Sequence, residues 1–195
     1  MKQFLLSAIC AASLFIAEAQ QLKTPAPSTT QTIKQEFGLG SIELSYSRPN
    51  MKGRKIFGDL VPYGKVWRTG ANAATTVTFS DEVMIGGVKV PAGKYGLLSI
   101  PGESEWTLII TKQLDVTSPS AYKQESDVVR VQVKPLAMTM SRETFTMQIA
   151  NITDNGCEIH LLWDRTAVAL PVSTDVDSKV MKQIETIMKS DSRPY

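Results

Sequence analysis

A chain of 195 residues with 43% hydrophobic content is long enough to bury a core of its own and too polar to be a membrane bundle. Its formal net charge of +2 is too small to attract nucleic acid by itself, so any electrostatic attraction has to be local. Two cysteines and one histidine exclude a disulfide scaffold and a metal centre built from His and Cys.

The N-terminus reads as a targeting segment. Lys2 supplies a positive charge, and Phe4 to Ala17 is an apolar run too short to span a bilayer comfortably. Ala17-Glu18-Ala19 then places small residues at the two positions a signal peptidase reads. The pattern predicts a signal peptide over residues 1–19, cleaved before Gln20, and an exported protein, periplasmic or secreted. The alternative, an uncleaved anchor, lacks a following stop-transfer pattern. Cleavage removes Cys10 and leaves Cys157, which reads as a buried small hydrophobe because no basic or helix-terminal neighbourhood flanks it.

Residues 20–30 hold two prolines and little that is apolar, and read as a flexible linker. A β domain is predicted over residues 27–172. Thr32 to Phe37 alternates, Gly38-Leu39-Gly40 turns the chain, and Ser41 to Ser47 places Ile42, Leu44 and Tyr46 on one face. After a long irregular stretch come Thr75–Phe79, a hairpin at Gly86-Gly87, Tyr95–Ile100, Trp106–Thr111, Val128–Lys134 and a strand carrying Phe145, Met147 and Ile149. Asp154-Asn155-Gly156 leads into Cys157–Trp163, and Thr166–Val172 reads as one more strand. Nine or ten short strands separated by turns predict an all-β fold, an antiparallel sandwich or barrel.

Val176, Val180, Ile184, Ile187 and Met188 recur at helical spacing, predicting an amphipathic helix over residues 174–190 with Thr174 as its cap. The expectation is that its apolar stripe packs on the sandwich; the alternative is a helix that binds a protein partner or dimerises.

The irregular stretch runs from Arg48 to Asn72. It carries six basic residues against the single acid Asp59, a local charge of +5, interleaved with Phe57, Tyr63 and Trp67. Two readings stand. In one it is a ligand site for a glycan or an anionic small molecule, built from Arg54, Tyr63, Trp67, Arg68 and Asn72, because guanidinium groups fork onto anions and aromatic faces stack on rings. In the other it is a structural plug, whose apolar residues enter the core and whose arginines bond backbone carbonyls.

Catalytic signals are missing. His160 and Cys157 lie three apart on a strand and so face opposite ways. No nucleophile elbow or phosphate loop occurs. No catalytic or metal-binding residue is assigned and no cofactor is expected. The chain reads first as a non-catalytic ligand-binding module, second as a structural or protein-interaction module of the cell envelope, and last as a hydrolase with a carboxylate pair.

Tyr46-Ser47-Arg48-Pro49, Lys52 to Gly58, Leu60 to Asn72 and Pro91-Ala92-Gly93-Lys94-Tyr95-Gly96-Leu97 closely resemble the bacterial family called Domain of Unknown Function 2911. The likeness continues through Ile100-Pro101-Gly102, Glu105-Trp106 and Asp127 to Val131, covering roughly residues 27 to 170. The resemblance implies an exported protein of a Gram-negative bacterium and implies no activity. Two places depart from it. Ala73 stands where relatives often carry glutamate, and Thr117-Ser118-Pro119-Ser120 stands where they often have tryptophan-glycine.

Overall fold

The computed structural model describes residues 24–191, so the predicted signal peptide lies outside the described residues. Alternation of apolar and polar residues dictates most of the strands. In β2 (Gly40–Arg48) Ile42, Leu44 and Tyr46 are buried while Glu43 is exposed. Its hairpin partner β1 (Thr29–Phe37) begins inside the segment read as linker. The chain continues through β3 (Thr76–Phe79), β4 (Val83–Ile85), β5 (Val88–Val90), β6 (Gly93–Ile100), β7 (Trp106–Thr111), β8 (Asp127–Val133), β9 (Leu136–Ala150) and β10 (Gly156–Ser173).

These form two antiparallel sheets, one ordered β1-β2-β3-β6-β7-β8 and the other β5-β4-β10-β9. Their inner faces bury Phe79, Leu97, Trp106 and Leu108 against Ile85, Phe145, Ile159, Trp163 and Leu170, which makes a β-sandwich rather than a closed barrel. A smaller core lies on the outer face of the six-stranded sheet. There Leu98 and Ile109 are covered by Val116 and Ala74, so the irregular segment between β7 and β8 folds over that sheet. The Gln113 amide holds this segment by donating to Ala121 O and accepting from Lys123 N.

The alternation in Cys157–Trp163 and Thr166–Val172 suggests two strands; the structure has one, of 18 residues. Cys157, Ile159, Leu161 and Trp163 are buried on odd positions, and Val168, Leu170 and Val172 on even ones. The phase changes at a bulge, where Asp164 adopts φ 49 and the register shifts on either side. Across from it, residues 138–141 of β9 lie between the pairs Arg142–Asp164 and Ala137–Thr166, facing Arg165 alone.

The helix, α1 (Val176–Asp191), forms as expected but corrects two expectations. Its cap is Asp175, whose Oδ1 accepts from Ser178 N at 3.0 Å, whereas the Thr174 hydroxyl accepts from Lys179 Nζ at 2.7 Å. The apolar stripe does not pack on the sandwich. Only the first turn docks, and Met181, Ile184 and Met188 remain 55%, 42% and 69% exposed. The sandwich end offers α1 ion-pairing partners and the small β1–β2 turn rather than an apolar platform, which is why docking stops after one turn. Among the described residues no helix is long and apolar enough to cross a membrane.

Candidate functional site

The stretch from Arg48 to Asn72 fills the end of the sandwich between the two sheets. Its first residues extend β2 onto β9: Phe145 N donates to Pro49 O at 2.9 Å and Met51 N to Glu143 O at 2.8 Å. Its last residues run along β6, with Trp67 and Ser99 exchanging both backbone bonds at 2.7 and 3.0 Å. Between them Ile56 and Val61 are buried. Thr69 is fully buried at φ 56, a costly conformation for a β-branched residue. It is held by the Ser99 hydroxyl at 2.9 Å and by Thr75 Oγ1 donating to its carbonyl at 2.6 Å. The next residue, Gly70, has φ 151, and a Cβ there would lie 2.9 Å from Ser47 O, so only glycine fits.

The arginines face their own backbone. Arg54 donates from Nε to Met51 O at 2.8 Å and from Nη2 to Asn50 O at 2.7 Å. Arg68 Nη1 donates to Asn72 O at 3.1 Å and also to Thr117 O, tying the stretch to the segment after β7. Arg48 Nε donates to Phe145 O at 3.2 Å. Trp67 enters an aromatic cluster, stacked on Trp163 with centroids 5.7 Å apart and its Nε1 donating to Gly70 O. The Asn72 amide donates to Ser28 O at 3.1 Å, fixing the start of β1.

The five residues singled out from the sequence are therefore spread over several places. Trp67 and Arg68 border a mostly apolar groove of about 220 Å³ with Leu60, Pro62 and Thr117. Tyr63 lines a separate cleft of about 190 Å³ with Glu103 and Arg165. Arg54 and Asn72 line neither. Glu103 and Arg165 escape sequence reasoning because more than half the β domain separates Tyr63 from Arg165 along the chain. The family-like run through Pro101-Gly102 was the nearest signal.

A third opening, about 590 Å³, lies between α1 and the sandwich end, bordered by Leu39, Asp81, Lys179, Lys182 and Ile187. Its electrostatic clamp is Lys179 Nζ, 2.7 Å from Asp81 Oδ2. That hydrogen bond holds the Asp81 carboxyl below the ordinary aspartate range, and the bond from Ser178 does the same for the cap Asp175. A lowered pKa in the folded state means stabilisation that is present above the ordinary range and lost as pH falls through the lowered value. Acidification is expected to release α1 before the sandwich opens. Amide protection in residues 176–189, taken relative to the intrinsic exchange rate at each pH, should fall on acidification while Ile42 and Leu97 stay protected, and Asp81→Asn should produce part of that loss at neutral pH.

On the outer face of β10, Glu158 and His160 sit two apart and meet at 2.6 Å, with Asn151 Nδ2 also donating to Glu158 at 2.7 Å. The period of two already placed this pair on one face. Both hydrogen bonds, His160 first, hold the Glu158 carboxyl low. Cys157 points the other way into the core, where burial pushes its thiol up to about 11. Asp81 and Glu82 share only a crevice of about 10 Å³, and they pair with Lys179 and Lys89. Among the described residues no three His, Cys, Asp or Glu side chains gather to hold a metal.

A search of curated proteins and of solved structures found no match. A family model described as "Protein of unknown function (DUF2911)" matches residues 28–172, the whole sandwich from the start of β1 to the end of β10 without α1. With the Arg48–Asn72 stretch, its close-packed glycine and both sheets inside that match, the chain belongs to the DUF2911 family.

Proposed function

We propose that this chain is an exported, non-catalytic interaction module of a Gram-negative cell envelope, in which the Arg48–Asn72 stretch is a structural plug and α1 contacts a protein partner. The observation that carries this reading is the exposed apolar stripe of α1, with Met181, Ile184 and Met188 turned to solvent on an otherwise well-buried sandwich. Amphipathic helices draw most of their stability from packing that stripe, so a docked first turn followed by an exposed stripe suits a helix that completes its packing on a partner. The Lys2–Ala19 pattern supports export. The plug reading is supported by arginines bonded to backbone carbonyls and by the packing of the half-buried Trp67 against the ring of Trp163.

A photo-crosslinking residue at Met188, introduced in the native cells, tests this. The expected result is a single adduct of defined mass, analysed by mass spectrometry and lost when Ile184→Asp is added. Ile184→Asp should leave the stability of the sandwich within about 0.5 kcal/mol, as exposed substitutions do. An adduct equal to two copies of the chain would identify the partner as a second copy. No adduct, or a pattern that Ile184→Asp does not change, would refute the proposal.

A further inference from the structure

The end of the sandwich opposite α1 carries its own opening. Phe79 pairs with both Ile42 and Gly93, which places the β1–β2 turn, Asp81 and the start of β6 at the α1 end. β6 then runs away to Ile100, so the turn before β7 lies at the far end, beside the plug. There the Tyr63 ring lies against the backbone of Gly58, where φ is 82 and a Cβ would come within 2.7 Å of the ring. That contact fixes the ring as one wall of the cleft. Phe57 and Trp106 form the base, in edge contact with centroids 4.9 Å apart. Glu103 enters from the β6–β7 turn and Arg165 from the β10 bulge.

The polar groups of this cleft have spare capacity. Arg165 Nη1 donates to Thr139 O at 2.8 Å, and among the described residues its remaining N–H groups find no acceptor. Among the same residues Glu103 and the Tyr63 hydroxyl make no bond, and Glu103 and Arg165 do not pair with each other. A carboxylate and a guanidinium thus line one small aromatic cleft without neutralising one another.

We propose that this cleft binds a neutral pyranose ring at the end of a glycan. An anion would meet Glu103 and a cation would meet Arg165. Both side chains are exposed, so water screens any ion pair a zwitterion would form with them. Neighbouring hydroxyls on a neutral ring suit both groups at once, donating to the carboxylate and accepting from the guanidinium fork. The apolar face of such a ring fits the flat Tyr63 wall. A volume of about 190 Å³ is below the range of drug-sized pockets and suits one ring rather than a chain of them. Sugar binding here would be independent of the partner contact, since it uses the other end of the molecule.

The test is a titration of the purified protein, followed by amide NMR shifts at Tyr63, Gly102 and Thr166. The probes are the methyl glycosides of glucose, galactose and mannose, with glycine and acetate as zwitterion and anion. At least one glycoside is expected to shift these amides saturably. Tyr63→Ala and Glu103→Ala should each weaken that binding by about tenfold, the scale of one bond to a charged group. Glu103 is exposed in a turn, so Glu103→Ala keeps the fold, and Ile184→Asp in α1 should leave sugar binding unchanged. No response to any glycoside overturns the proposal. So does a response to glycine or acetate that equals the sugar response, or a sugar response that Glu103→Ala leaves intact.

Discussion

Replacing Trp67 with alanine is expected to destabilise the protein by about 3–5 kcal/mol and to lower its melting temperature by roughly 10 °C. Trp67 is the residue through which the Arg48–Asn72 stretch enters the core. Its ring stacks on Trp163 and makes edge contacts with Phe145 at 5.1 Å, Phe57 at 6.2 Å and Trp106 at 6.5 Å. Truncation removes that surface and leaves a void among four rings that cannot all collapse into it. It also frees the Gly70 carbonyl beside the strained Thr69. The three tryptophans of the chain all belong to this cluster, so intrinsic fluorescence reports on the plug directly. Arg54→Ala is the contrast: an exposed guanidinium on two local carbonyls should contribute only about 1 kcal/mol. Thermal denaturation of both variants decides between plug and ligand site. A Trp67→Ala protein melting within about 2 °C of wild type would mean that the ring is held for something other than stability.

The sequence showed some of this plainly and hid the rest for identifiable reasons. β2 was readable to within a residue because one face is buried and one is not, so composition follows the pleat, and β7 was readable as a short apolar run because both of its faces are buried. The first half of β9 was invisible, since Leu136 to Arg142 is largely exposed and no alternation is imposed on it. β10 looked like two strands because a bulge at Asp164 reverses the phase, and periodicity cannot distinguish a reversal from a break. The helix was found from its stripe, but a stripe does not say whether its partner is inside the chain. In the central stretch the charge excess was real and its meaning was ambiguous, because an arginine that caps carbonyls has the same letter as one that grips a ligand. In the structure Arg54 and Arg68 both donate to backbone carbonyls. Tyr63 lines a cleft with Glu103 and Arg165, two charged side chains that do not pair with each other among the described residues and are brought to it only by the folding of distant strands.

Tyr46→Phe should be nearly as disruptive as loss of the tryptophan, although it removes a single oxygen. β9 is the outer strand of its sheet, and Met147 turns its backbone toward β2 rather than toward β10. The Tyr46 hydroxyl meets both groups: it accepts from Met147 N at 2.8 Å, lies 3.1 Å from Met147 O, and reaches Gln31 Oε1 at 2.8 Å. In the variant a buried N–H and a carbonyl lose their partner where water cannot replace it, at about 1–3 kcal/mol for each unsatisfied group. The expected loss is about 2–4 kcal/mol in chemical denaturation, with exchange at the Met147 amide accelerated more than at Ile159. The pH dependence provides a second check. Burial raises the Tyr46 phenol above its ordinary 10.0. A raised folded-state pKa gives stabilisation that is complete below the ordinary value and lost as pH rises through the raised one. Wild type should therefore weaken in alkali, and Tyr46→Phe should weaken less steeply. Some slope will persist, because burial and the bond to Asp127 push Tyr122 up to about 12, and burial, with the nearby charge of Glu158, moves Cys157 to about 11. A variant that loses under about 1 kcal/mol would mean that the outer edge of β9 is held chiefly by the Pro49–Met51 pairing and the Arg48 guanidinium. A larger loss would make the tyrosine at the end of β2 a principal lock between the two sheets.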